Sequence, residues 1–308
     1  MTNLFDLLSQ FTSVFLGIFI EAVPFLLLGT LASGMVEVFF DQEELARLLP
    51  RQPLLAALTG SLMGLFLPVC ECGVVPLTRR LFQKGVPSAV GISFLLAAPV
   101  INPVVIASTY AAFGFSPVFW GRLGLTLGVA VITGLVFSLQ PDVNQILRDP
   151  VPVPVRLTDL PLVVSPVTLA AAVPLGQRLR RMVVIAGDEF FEMGRYLVIG
   201  SLMAALLQTF VPQQVLASLG RGPVLSVVVM AAIAVLLSVC STVDAFIALA
   251  FIGQFPTGAL LSFLVYGPMV DIKSTLMFTR VFRRRGVIYL VFLPLLLTLV
   301  STALWNIL

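Results

Sequence analysis

The chain has 308 residues, of which 59% are hydrophobic and 11% charged, with a formal net charge of +3 and a mean hydropathy of +1.08. That balance lies outside the range of water-soluble domains and defines an all-α polytopic membrane protein. The basic excess sits in short arginine clusters, which read as an orientation signal and exclude a nucleic-acid surface. With no histidine in the sequence, His-ligated haem, histidine-containing zinc sites and Ser-His catalysis are excluded. No G-x-x-x-x-G-K-[ST] phosphate loop occurs either, so the chain has no ATPase motif of its own. We expect no cofactor, no resident metal and no enzyme activity.

In chain order, Met1 to Asp6 lack the basic region and cleavage site of a signal peptide, so the first helix is expected to stay attached. Apolar runs at 11–36, 54–77, 87–113, 118–139, 182–210, 224–250, 256–279 and 287–307 then give about eight candidate spans, each near the roughly 20 residues a bilayer requires. Residues 140–181 interrupt them with Pro141, Pro150, Pro152, Pro154, Pro161, Pro166 and Pro174 among five arginines, a density that rules out one regular helix. The predicted organisation is a first membrane repeat at 1–139, a Pro-rich linker at 140–181 and a second repeat at 182–308.

The two halves repeat one another. Leu67-Pro68-Val69-Cys70 matches Leu237-Ser238-Val239-Cys240, and Arg51-Gln52-Pro53-Leu54 matches Arg221-Gly222-Pro223-Val224, both at an offset of 170. Ser93 to Asn102 matches Ser262 to Asp271 at 169, and Glu21 to Gly29 shadows Glu192 to Gly200. Each half has two places where an apolar run is interrupted: near Cys70 and Cys240, and at Ala98 to Pro103 and Gly267 to Asp271. Broken helices at matching positions of a duplicated bundle are the pattern of a secondary transporter whose site lies near the midplane. In hydrocarbon, open backbone persists only where protein or a wet cavity surrounds it. The four breaks are therefore expected to converge as broken or re-entrant helices. Arg79, Arg80 and Lys84 follow the second run and Arg280, Arg283, Arg284 and Arg285 the seventh; counting eight spans puts these clusters on opposite faces, against the positive-inside tendency.

Glu21, Glu71, Glu192, Arg195, Asp244, Asp271 and Lys273 fall inside or at the edge of apolar runs. Each unpaired charge at a helix centre costs about 2.5–3.5 kcal/mol on insertion scales, so the set requires pairing, protonation or a wet cavity. Glu71, Asp244, Asp271 and Lys273 are the candidates for proton coupling, and Glu71, Asn102 and Asp271 at the breaks are candidate substrate contacts. Lone buried cysteines are commonly small hydrophobes, but Cys70 and Cys72 flank Glu71 on irregular backbone, and Cys240 occupies the position matching Cys70. Three such thiols suit a soft, thiophilic solute.

Pro68 to Leu77, Ala98 to Pro103, Cys240 to Ala248 and Gly267 to Lys273 together resemble the ArsP/YraQ-type predicted permeases, over nearly the whole chain. The resemblance implies export of trivalent organoarsenicals or arsenite across a bacterial inner membrane, with Cys70, Cys72 and Cys240 facing the arsenic. Two positions depart from the family pattern: Glu71 stands where relatives have a small residue, and Thr242-Val243 where they have an acid. A negative charge between the thiols favours a cation and points toward a different solute. Besides alternating-access export, two other classes fit less well: a channel or permease for another small solute or metal ion, and an intramembrane thiol oxidoreductase using Cys70 and Cys72. The one-residue spacing strains such a disulfide.

Overall fold

The computed structural model describes residues 4–40, 49–50, 52–67, 69–140, 146–148, 175–210, 222 and 224–307. Among them are twelve helices and two isolated bridges, with no strand. Most of the Pro-rich linker lies outside the described residues.

Two long helices lie side by side: α1 (Leu4–Phe39) and α7 (Leu175–Phe210), each of 36 residues. At 1.5 Å per residue each is about 54 Å long, more than a bilayer core, so each tilts or projects. They run antiparallel, because Gly34 of α1 abuts Met182 of α7 while Glu21, earlier on α1, and Gly200, later on α7, both approach Lys273.

The run 54–77 does not form one span. It folds as α2 (Pro53–Met63), which starts with proline at its first turn, and α3 (Glu71–Gln83), separated by an irregular tip. Cys70 is the last extended residue of that tip, at φ −85° and ψ 179°. Unwinding therefore falls at Cys70 as the sequence predicts, while Gly73 and Pro76 are accommodated inside α3. Next come α4 (Ser88–Ala97), α5 (Pro103–Phe113) and the spanning α6 (Pro117–Ser138). Gly60 packs on Val90 and Ser93, and Gly64 on Ala98 and Ile101, so α2 runs parallel to α4. Since α3 ends where α4 is about to begin, α2 and α3 form a hairpin that enters the bundle and returns to the face it left. We call this face A.

The later half contains α8 (Leu225–Leu237), the short α9 (Asp244–Leu249), α10 (Thr257–Met269), α11 (Ile272–Val281) and α12 (Arg284–Ile307). Ser262 Oγ donates to the carbonyl of Val227, and Gly267 abuts Ala234, so α8 runs parallel to α10. By the same reasoning α8 and α9 form a second hairpin, with Cys240 in its tip. The start of α10 meets the end of α12, where Gly258 N donates to Asn306 Oδ1 at 2.7 Å. The start of α12 meets the end of α6, where the Phe137 and Tyr289 rings lie 6.5 Å apart. The second hairpin therefore enters from face B, opposite the first.

Among the described residues, five helical stretches are long and apolar enough to cross a membrane: Phe5–Phe39, Pro117–Ser138, Leu175–Phe210, Thr257–Val281 and Arg284–Ile307. This differs from eight uniform spans, because the tips at Cys70 and Cys240 turn two apolar runs back on themselves. Both basic clusters consequently lie on face A: Arg79 on α3 and Arg280 on α11 each bind Glu192 of α7. Arg80 also pairs with Glu189 at 2.5 Å and Lys84 with Glu37 at 3.4 Å.

Candidate functional site

The two hairpin tips and the two helix breaks converge inside the bundle. Asn102 begins α5 as an N-cap: its Oδ1 accepts from Val104 N at 2.9 Å, and its Nδ2 donates to the carbonyl of Val69 at 3.4 Å. Asp271 begins α11 with a capping box, its Oδ1 accepting from Ser274 N at 2.6 Å while Ser274 Oγ accepts from Asp271 N at 2.9 Å. A proline lies at each helix end, Pro99 just after α4 and Pro268 in the last turn of α10, and an Asx cap then starts the next helix. Asn102 is thus occupied in holding the first hairpin's tip, and it does not line the cleft between the tips.

Lys273, in the first turn of α11, is buried at 2% exposure. A cation at a helix N-terminus is disfavoured by the helix dipole and by burial, so it requires anionic partners. Its Nζ lies 3.4 Å from Glu71 Oε1 and 3.3 Å from Asp271 Oδ2, and it donates to the carbonyl of Ser238 at 2.7 Å. The local Asp271–Lys273 pair expected from sequence is present. The partnership with Glu71 spans 202 residues and joins the hairpin from face A to the helix restart of the other half. Glu71, the residue between the two thiols, thereby shares the Lys273 ammonium with Asp271.

The carbonyl that Lys273 uses belongs to a strained residue. Ser238 has φ 46° and ψ 41°, and among the described residues it alone departs from negative φ without being glycine. Such a left-handed serine costs about 1–3 kcal/mol and persists only where its surroundings hold it. Here Ser238 Oγ accepts from Ile272 N and donates to the carbonyl of Val235, while its own carbonyl turns to Lys273.

All three cysteines are free and buried. All three thiols line one cleft, Cys70 and Cys72 from the first hairpin and Cys240 from the second, so the two hairpins meet there. Cys70, Cys72, Cys240, Glu71, Lys273 and Glu21 line a cleft of about 180 Å³ of empty space that has no room for a water-sized sphere, so the site is closed. Among the described residues no three Cys, Asp or Glu side chains are arranged as a metal-ion site. Gly29 and Gly73 allow α1 and α3 to approach backbone to backbone beside this cleft, since a Cβ on either would meet the other's main chain.

Asp244 lies apart from this cleft. It pairs with Arg122 of α6 at 2.7 Å, and Arg122 also donates to Thr109 Oγ1 at 2.9 Å and to the carbonyl of Ser241 at 3.4 Å. Arg122 and Ser238 are not among the site residues expected from the sequence. An arginine inside the apolar run 118–139 was a usable signal; nothing in the local sequence marks the backbone of Ser238. Glu192 is an ion-pair hub on face A, outside the thiol cleft.

A bundle of long apolar helices, with two half-way hairpins meeting at a buried thiol and ion-pair cluster, is that of a membrane permease. The comparisons agree: the sequence matches the ArsP_1 family, described as a predicted permease, over residues 7–307. It is 44% identical over 284 residues to the UPF0718 protein YcgR of Bacillus subtilis (strain 168), covering 92% of each chain. It is 35% identical over 283 residues to a Streptococcus mutans protein described as a candidate subunit of a two-component membrane permease complex, covering 92% of this chain and 90% of that one. No solved structure shows significant similarity. The chain belongs to the ArsP_1 predicted permease family and is an integral membrane protein, of the plasma membrane in bacteria.

Proposed function

We propose that the protein is a secondary transporter that moves a soft, thiol-reactive solute, of which trivalent organoarsenicals and arsenite are the first candidates. The observation that carries this reading is that Cys70 and Cys240, at the tips of hairpins entering from opposite faces, line one cleft together with Cys72. Thiols bind a thiophilic centre through sulfur, and a ligand bridging both tips would sense the position of each half.

The halves act, in this reading, as inverted-topology repeats. Supporting it, α1 and α7 are equal in length, each half then has a hairpin, a helix broken at an Asx cap and a closing long helix, and the two hairpins enter from opposite faces. Alternating access follows when one half rocks against the other around a fixed site. The closed cleft corresponds to the occluded state. Lys273, shared by Glu71 and Asp271, is the candidate coupling group: protonating either carboxylate would release part of its hold. Asp244 belongs to a separate layer toward face B, and Asn102 acts by positioning the first tip. The name of the S. mutans relative makes a second subunit a reasonable partner here also.

Accumulation of trivalent methylarsenical and of arsenite in everted vesicles tests the proposal. Uptake should occur with the intact chain and be lost with Cys70→Ser/Cys72→Ser. If the intact protein moves neither compound, the arsenical assignment fails. If uptake persists after the proton gradient is collapsed, proton coupling fails while the thiol site stands.

A further inference from the structure

Away from the thiol cluster, the end of α6 and the start of α12 enclose a cleft of about 760 Å³ on face A. Its mouth is the first turn of α12 with Arg283, Arg284 and Arg285, and its walls include Phe137, Ile146 and Tyr289. Arg283 is fixed by donating through Nε to the carbonyl of Leu147 at 3.0 Å, while Arg284 and Arg285 are exposed. Among the described residues that line the cleft, none carries a carboxylate. Three guanidinium groups and the open amides of a helix N-terminus together make a strong anion field.

The chemistry changes along the helix. Tyr289, Phe292 and Leu296 follow Arg285 on one stripe of α12 and are 60%, 61% and 61% exposed. Ile132 and Val136 of α6 continue the apolar surface on the other side. A free phosphate would use the arginines alone. A molecule with an anionic head and a hydrocarbon tail uses both parts, and the cytoplasmic leaflet, where the basic clusters of face A belong, supplies such molecules.

We propose that this cleft binds one anionic phospholipid, its phosphate among Arg283, Arg284 and Arg285 and an acyl chain along Tyr289, Phe292 and Leu296. The lipid seals the seam between the last helices of the two halves. This site does not depend on what solute the thiols carry.

Native mass spectrometry and thermal unfolding of the purified full chain test it, after incubation with phosphatidylglycerol, phosphatidylcholine or inorganic phosphate. Phosphatidylglycerol should be retained and should raise the unfolding midpoint, whereas phosphatidylcholine should do neither. Arg284→Gln/Arg285→Gln should weaken retention by roughly fivefold for each arginine removed. Tyr289→Ala/Phe292→Ala should weaken it while leaving the arginines in place. Equal retention of the two lipids overturns the proposal, as does stabilisation by inorganic phosphate equal to that by the lipid, which would mark a free-phosphate site. The comparison of lipids on the unaltered protein decides the matter even if the arginine variant fails to fold.

Discussion

Arg122 Nη2 lies 2.7 Å from Asp244 Oδ2, with the two side chains 0% and 4% exposed. The arginine comes from the helix that closes the first half, and the carboxylate from the hairpin of the second half, four residues after Cys240. Arg122 also reaches the carbonyl of Ser241, so one guanidinium ties the second thiol tip to α6. The pair lies on the face B side of the thiols, opposite the Arg79–Glu192–Arg280 layer on face A.

Breaking this pair from one side leaves an uncompensated buried charge. Arg122→Leu or Asp244→Leu alone should destabilise by about 3–5 kcal/mol, and Arg122→Leu/Asp244→Leu together should recover much of it. Chemical unfolding in detergent measures this, and equal losses in single and double variants would mean the two residues do not act as a pair.

The same logic distinguishes Lys273 from its partners. Lys273→Met strands two carboxylates, Glu71 and Asp271, whereas Glu71→Gln leaves Lys273 with Asp271 and the Ser238 carbonyl. Lys273→Met should therefore be the more damaging by about 1–3 kcal/mol, and adding Glu71→Gln should partly rescue it. A thermal-shift series over the three variants reads this directly; no rescue would show that Glu71 and Lys273 are uncoupled.

Ser238 offers a backbone test. Ser238→Gly removes the left-handed strain and should be close to neutral, although it forfeits the hydroxyl bond to Ile272 N, whereas Ser238→Val should cost about 1–3 kcal/mol and turn the carbonyl from Lys273. Equal tolerance of both substitutions would argue that the φ of 46° is not required.

Topology is open to direct labelling. Single cysteines at Lys84 and Arg285, in a chain whose native cysteines are serine, should react with an impermeant maleimide only in everted vesicles. Substitutions at Phe115 and Gly253 should react only in right-side-out cells. Labelling of Lys84→Cys and Arg285→Cys from opposite sides would overturn the assignment of both basic clusters to one face.

Gly73 sits where α3 meets α1, and a methyl there meets the Phe25 carbonyl and Gly29. Gly73→Ala should lower stability by about 1–3 kcal/mol through forced separation of the two helices. An unchanged unfolding midpoint would show that the contact can relax.

Much of this was legible in the chain before any tertiary contact was known. Composition and the length of apolar runs determine a helical membrane protein, because hydrocarbon admits backbone only when its hydrogen bonds are satisfied within helices. The breaks at Cys70, at Asn102 and at Asp271 follow from local proline, glycine and Asx chemistry, which acts over a few residues. Family membership followed from the same motifs. What local chemistry does not contain is direction. Whether the chain continues or turns back at Cys70 depends on what α2 and α3 pack against, and the contacts of Gly60 and Gly64 with α4 decide it. That decision moved Arg79 to the face of Arg280, gave Lys273 a partner in Glu71 and brought Cys70 to Cys240. Likewise Arg122 has no partner nearby in sequence, and only the folding of the second hairpin against α6 supplies Asp244. Charges buried in an apolar bundle must be paired, but the sequence states only the requirement; the tertiary structure selects the pairs.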